Sequence, residues 1–122
     1  MPRTTAQHLG ALGEQRALEH YERLGCRLLA RNWRQPAGEI DLVLSDGDVT
    51  IFAEVKTRRR GGLDPVLAIT REKRRRMRSL AAAWLRDHPG RPRTARVRID
   101  AVAVVLDDRD QLVSLEQYED VA

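Results

Sequence analysis

The stretch Gly38 to Lys56, GEIDLVLSDGDVTIFAEVK, limits what this chain can fold into more than any other. Apolar runs flank Asp46-Gly47-Asp48, a cluster of turn formers, so the stretch reads as two strands joined by a tight turn. Side chains alternate across a strand. Glu39, Asp41 and Val43 then share one face of the first strand, and Ile40, Leu42 and Leu44 the other. In the second strand Phe52, Glu54 and Lys56 share one face, and Ile51, Ala53 and Val55 the other. With both charged faces on one side of one sheet, Asp41, Glu54 and Lys56 converge. Each acid sits inside an apolar run, Asp41 between Ile40 and Leu42, Glu54 between Ala53 and Val55. Half-buried carboxylates are costly without a partner. A hard divalent cation such as Mg²⁺ offsets that cost, because it binds carboxylates together with waters and phosphate oxygens. A lysine beside it can orient or deprotonate a water. The same spacing also suits a surface hairpin with a Glu54–Lys56 salt bridge.

The flanking sequence supplies helices. Thr4 and Gln7 have capping-box spacing, which predicts a helix from near Thr5 to about Leu24, stopped by Gly25. Glu14, Ala17, Leu18 and Tyr21 fall on one face of it. Glu14 therefore lies with the core residues, where an arginine could pair with it. Gly10 and Gly13 disfavour a helix and suggest close approach of a backbone or a ligand. Cys26 to Trp33 reads as a strand whose end residues Asn32 and Arg34 suit either a phosphate or a structural role. Gln35-Pro36-Ala37-Gly38 reads as a turn. Thr57 to Pro65, with Arg58, Arg59 and Arg60 before two glycines, reads as a positive loop, either closing over a phosphate backbone or simply exposed.

Thr70 is the expected N-cap of a second helix, Arg71 to about Asp87. Lys73, Met77, Leu80 and Trp84 line one face of it, with arginines opposite. Lys73 heads the buried stripe, and it either snorkels to water or reaches the carboxylates. Arg93 to Leu106 reads as a strand internal to the sheet, with Asp100 a structural partner for an arginine. Leu115 to Tyr118 is a short helix or edge element. The order αβββαβ predicts an α/β fold, a mixed sheet flanked by helices.

A chain of 122 residues with one cysteine is expected to form a single domain, 1–122, with no internal disulfide. No apolar run is long enough for a membrane span, and no apolar signal core opens the chain. A cytoplasmic protein is the expectation. Ten basic residues lie between Lys56 and Arg78, and six acidic ones follow Leu106. That asymmetry points to polyanion contact at one region. Arg71, Arg75 and Arg78 on the exposed helix face, with Lys73 and Arg58, Arg59 and Arg60, are the candidate contacts. Few aromatics are present, which argues against single-strand binding by stacking.

Asp41 followed by Glu54-Val55-Lys56 resembles the PD-(D/E)xK signature of restriction-endonuclease-like nucleases. The ordered set Gly10-x-x-Gly13-Glu14, Ala30-Arg31-Asn32-Trp33-Arg34, Gly38-Glu39-Ile40-Asp41-Leu42, Glu54-Val55-Lys56-x-Arg58, Lys73 and Arg98-Ile99-Asp100 resembles the YraN family, itself similar to archaeal Holliday junction resolvases. No proline precedes Asp41, where the signature's name places one. The resemblance implies a restriction-endonuclease-like fold and a Mg²⁺- or Mn²⁺-dependent, structure-selective endonuclease acting on branched or duplex DNA. It implies Asp41 and Glu54 as metal ligands, joined by Glu14 and the Val55 carbonyl, with Lys56 positioning the attacking water. Similarity to dimeric resolvases implies a homodimer. A non-catalytic nucleic-acid-binding module and a protein-interaction module are the alternatives. An intact Asp41/Glu54/Lys56 set favours the enzyme, since carboxylates repel phosphate unless a metal intervenes.

Overall fold

The computed structural model describes residues 5–62 and 70–122. Its elements are α1 (Thr5–Arg23), β1 (Arg27–Gln35), β2 (Gly38–Ser45), β3 (Val49–Arg59), α2 (Arg71–Asp87), β4 (Arg96–Leu106) and β5 (Leu112–Tyr118). The expected order is present, and the closing element is an edge strand, β5. The sheet runs β1-β2-β3-β4-β5. It is mixed: β3 and β4 are parallel, and every other neighbouring pair is antiparallel.

Local chemistry sets the element ends. The helix α1 stops in a Schellman motif, with the Cys26 and Gly25 amides donating to Tyr21 and Glu22 carbonyls and Gly25 at φ 89°. Thr70 caps α2, its hydroxyl accepting from the Lys73 amide at 3.1 Å. In the β2–β3 turn the Asp46 carboxylate accepts from the amides of Asp48 and Val49 at 2.9 and 2.8 Å. These bonds hold its carboxyl below the usual range and fix the register that the turn residues predict. Thr4, half of the expected capping box, lies outside the described residues, as do Leu63, Asp64 and Pro65 of the expected loop.

The two faces of the sheet carry separate cores. Ala17, Leu18 and Tyr21 of α1 pack on Leu42, Leu44, Ile51, Ala53, Val102, Val104 and Leu106. On the other face Leu80, Ala81 and Trp84 of α2 pack on Ile40, Val43, Phe52 and Ile99. Strand β4 is apolar on both faces because it lies between β3 and β5. Asp100 on β4 is fully buried. Its carboxylate accepts two bonds from Arg98 at 2.8 and 2.9 Å, one from the Tyr21 hydroxyl at 2.8 Å, one from the Gln117 amide and one from the Asp120 backbone N–H. It is the structural partner of an arginine, as its sequence position suggests.

Three expectations need correction. Strict alternation fails in β2: Leu42 and Leu44 join the α1 core, whereas Ile40 joins Val43 in the α2 core. The slip falls at Asp41. Across from it, between Arg31 and Trp33 in β1, Asn32 adopts a left-handed φ of 54°, a conformation that asparagine tolerates better than most residues. Asn32 is thus a backbone device, and Arg34 pairs with Glu39 at 3.3 Å. Second, Thr57, Arg58 and Arg59 continue β3 and belong to no loop. Third, only Gly13 makes a close approach. A Cβ there would lie 1.7 Å from the Thr57 Oγ1, whereas one on Gly10 would meet nothing within 4 Å.

Candidate metal centre

The β2–β3 ladder ends at the Leu42–Ala53 pair, although both strands continue beyond it. In the gap the Asp41 carboxylate takes the place of the missing ladder partner and accepts from the Val55 amide at 2.7 Å. A strand residue turns its carbonyl to the same side as its N–H, so the Val55 carbonyl also faces this split. Helix α1 enters from one face of the sheet. Its Gly13 rests against Thr57, and that close approach delivers Glu14. Carboxylate oxygens of Glu14, Glu39 and Asp41 lie within 4.8 Å of one another. From the other face α2 delivers Lys73.

Around the split is a cleft of about 410 Å³, lined by Glu39, Asp41, Glu54, Lys56, Lys73 and Arg76 among others. Asp41, Glu54 and Lys56 thus line one cleft, but the carboxylates gathered within 4.8 Å of one another are Glu14, Glu39 and Asp41, and Glu54 is not of that group. Lys56 and Lys73 both pair with Glu54 Oε1, at 3.3 and 3.2 Å. Lys73 reaches the carboxylate site and is only 19% exposed. The second oxygen, Glu54 Oε2, is buried and has no hydrogen-bond partner. Glu14 has the arginine partner that one reading expects, Arg31 at 3.8 Å, and it stands beside Asp41.

Electrostatics distinguish Asp41. Burial is the largest cause that pushes its carboxyl up from 3.8 to about 7, and Glu14, Glu39 and Glu54 add repulsion; the Val55 N–H opposes them. Among the described residues Asp41 has no cationic partner. The donor set is hard oxygen throughout, which suits Mg²⁺ or Mn²⁺. Glu14, Glu39 and Asp41 could hold such an ion, with Glu54 Oε2 facing a want of any partner.

Two members were not singled out by their sequence positions. Glu39 shares the Asp41 carboxylate group, and its signal was the i, i+2 spacing on one strand. Arg76 lines the cleft, and its signal was the i+3 spacing from Lys73. The candidate phosphate contacts divide. Arg71, Arg75 and Arg78 are exposed on α2. Arg59 is engaged by the β4–β5 turn, donating to Asp110 at 2.7 Å and to the Asp107 carbonyl at 2.8 Å. Part of the acidic C-terminal segment thus serves to anchor the end of β3. Arg58 is half-buried in β3, and Arg60 is exposed just after it.

Among the described residues no helix is long and apolar enough to cross a membrane. The model of an uncharacterised protein family, UPF0102, matches residues 13–104, a span that includes Glu14, Asp41, Glu54, Lys56 and Lys73. A UPF0102 protein of Mycolicibacterium vanbaalenii is 50% identical over 99 residues, covering 79% of this chain and 78% of that one. One from Corynebacterium glutamicum is 42% identical over 120 residues, covering 98% and 95%, and one from Streptomyces coelicolor is 45% identical over 103 residues, covering 83% and 78%. Matches of this extent place the chain in the UPF0102 family, the YraN family whose ordered motifs it carries.

Proposed function

We infer that the chain is a divalent-cation-dependent endonuclease of restriction-endonuclease-like fold, hydrolysing phosphodiester bonds in branched or duplex DNA. The observation that carries this reading is the Glu54 carboxylate. One oxygen is held by two lysines and the other is buried without a partner, beside an Asp41 that burial and repulsion disfavour as an anion. A structural ion pair leaves no such deficit. A Mg²⁺ or Mn²⁺ ion bound by Asp41 with Glu14 or Glu39 and Glu54 would supply Lewis-acid polarisation of a phosphate oxygen.

The remaining roles fall to the chain. Lys56, 42% exposed and anchored on Glu54, is placed to orient a water at the cleft mouth as a hydrogen-bond donor. Lys73 and Arg76 bring positive charge to the wall of the cleft, where it would offset developing charge on a phosphoryl group. Arg71, Arg75 and Arg78 extend that positive surface onto exposed helix, which suits sequence-independent phosphate contact.

The test is a cleavage screen of labelled linear, flapped and four-way DNA with Mg²⁺ and with Mn²⁺, comparing wild type with Asp41→Asn and Lys56→Ala purified identically. The reading expects cleavage by wild type alone. Equal cleavage by all three would identify a contaminating nuclease. Binding of DNA without cleavage under every condition would replace this reading with a non-catalytic nucleic-acid-binding module.

A further inference from the structure

Helix α2 packs on the sheet through its second half only. Its inward stripe is Lys73, Met77, Leu80 and Trp84, yet of these only Leu80 and Trp84 are buried. Lys73 and Met77, in the first two turns, face the cleft instead. At its inner end the cleft meets the α2 core, where Ile40, Phe52 and Ile99 of the sheet and Met77 and Leu80 of the helix line it. The β1–β2 turn closes one side: a Cβ on Gly38 would lie 3.3 Å from Leu80 Cδ1 and 3.6 Å from Arg76 Cδ. The other end is charged, with Glu54, Lys56, Lys73 and Arg76. Phe52 and Glu54 are alternate residues on one face of β3, so the apolar and charged ends lie about 7 Å apart.

We propose that the apolar inner end is a slot for one unpaired nucleobase of a DNA strand, with the adjoining phosphate at the charged end. The inference rests on the nucleic-acid reading of the cleft and names which part of a strand enters it. A cation and a backbone phosphate alone are served by the carboxylates and the lysines, and have no use for an apolar wall. The cleft volume of about 410 Å³ falls in the range of pockets that enclose a small molecule, the scale of a single nucleotide. A nucleotide also has the polarity of the cleft, a ring with apolar faces joined through a sugar to an anion. A base stacked in a duplex cannot enter, and extruding it costs least where it is already unpaired. The slot therefore directs the site to a nucleotide at a flap, bulge or junction and away from continuous duplex. Holding one base in a slot needs no row of aromatic platforms.

The test compares three DNA duplexes of the same flanking sequence: one fully paired, one with a single unpaired nucleotide, and one with an abasic residue in place of that nucleotide. The last two carry the same phosphates and differ only in the base. Anisotropy titrations with wild type use Ca²⁺, a hard cation of looser coordination geometry, so that binding is read apart from hydrolysis. The duplex with the unpaired nucleotide should bind tightest, and the abasic residue should weaken it roughly tenfold. Met77→Trp fills the slot from a half-buried position; it should bind the abasic duplex as wild type does and lose the preference for the base. Photocrosslinking from 5-iodouracil at the unpaired position is a variant-free readout and should label α2 or β3. Equal affinity for the unpaired and abasic duplexes, a base preference that survives Met77→Trp in the folded protein, or crosslinks only outside α2 and β3 would overturn the slot. The cleavage screen separates this from the function: cleavage without base preference removes the slot and keeps the nuclease, whereas base preference without cleavage keeps the slot in a nucleic-acid-binding module.

Discussion

Asp100 and Asp41 are both aspartates on strands of one sheet, the first fully buried and the second half-buried, yet the fold treats them in opposite ways. Asp100 is saturated: Arg98, Tyr21, Gln117 and the Asp120 amide supply donors to both of its oxygens. Asp41 receives the Val55 N–H and otherwise faces Glu14, Glu39 and Glu54. Buried carboxylates are normally partnered. The saturated one ties α1, β4 and the C-terminal segment together. The deprived one stands where β2 and β3 separate, in a cleft open to solvent. The difference teaches that burial of a charge does not by itself mark a functional site; what counts is whether the fold also provides the countercharge.

The largest effect that would sharpen this contrast is on Asp100. Asp100→Ala leaves Arg98 and the Tyr21 hydroxyl without their partner, and should cost about 3 to 5 kcal/mol of folding free energy. Chemical denaturation measures it, and Mn²⁺ affinity of the folded fraction should be unchanged. A small stability change would mean that the network is decorative. Next comes Gly13→Ala. Its Cβ would lie 1.7 Å from the Thr57 Oγ1, so α1 must move, at a cost of about 2 to 3 kcal/mol. The same movement carries Glu14 away from Asp41, and metal affinity should fall as well.

Asp41 should behave in the opposite sense. Its folded carboxyl titrates near 7 against an ordinary 3.8, so the protonated form is favoured by folding. The stability it confers is complete below about 3.8 and is lost as pH rises through about 7. In chelator, Asp41→Asn should therefore melt higher than wild type by an amount that grows across that window, on the order of 1 to 2 kcal/mol at its upper end. Added Mn²⁺ should close the difference. A constant gap across pH would show that Asp41 is not penalised as an anion. The smallest effect is expected at Lys73. Because it and Glu54 are partly solvated, Lys73→Ala should change stability by less than about 1 kcal/mol. DNA affinity should nevertheless weaken, as read by a salt-dependent binding titration.

Much of this arrangement was legible in the residues. The hairpin Gly38 to Lys56, both helices and the N-cap Thr70 follow from turn chemistry and periodicity, which are local. Asp100 was legible too, because Arg98 lies two residues away on the same strand face. The slip at Asp41 was not. It depends on Asn32 in a different strand adopting a left-handed backbone, and alternation read along one strand cannot register that. Arg59 was misplaced for a related reason: its partner Asp110 is 51 residues distant, so its charge run looked like a free loop. Glu39 went unclaimed although alternation set it on the Asp41 face, because nothing local marks that face as the one Glu14 of α1 approaches.

The central claim is that Asp41 is short of a cation. Calorimetric titration of apo wild type and Asp41→Asn with Mn²⁺ at neutral pH tests it most directly, with Asp100→Asn as a carboxylate control where that variant stays folded. The account predicts saturable binding by wild type, a loss of at least about tenfold in affinity for Asp41→Asn, and little change for the Asp100 variant. Absence of saturable binding by wild type, or equal affinity for wild type and Asp41→Asn, would contradict it.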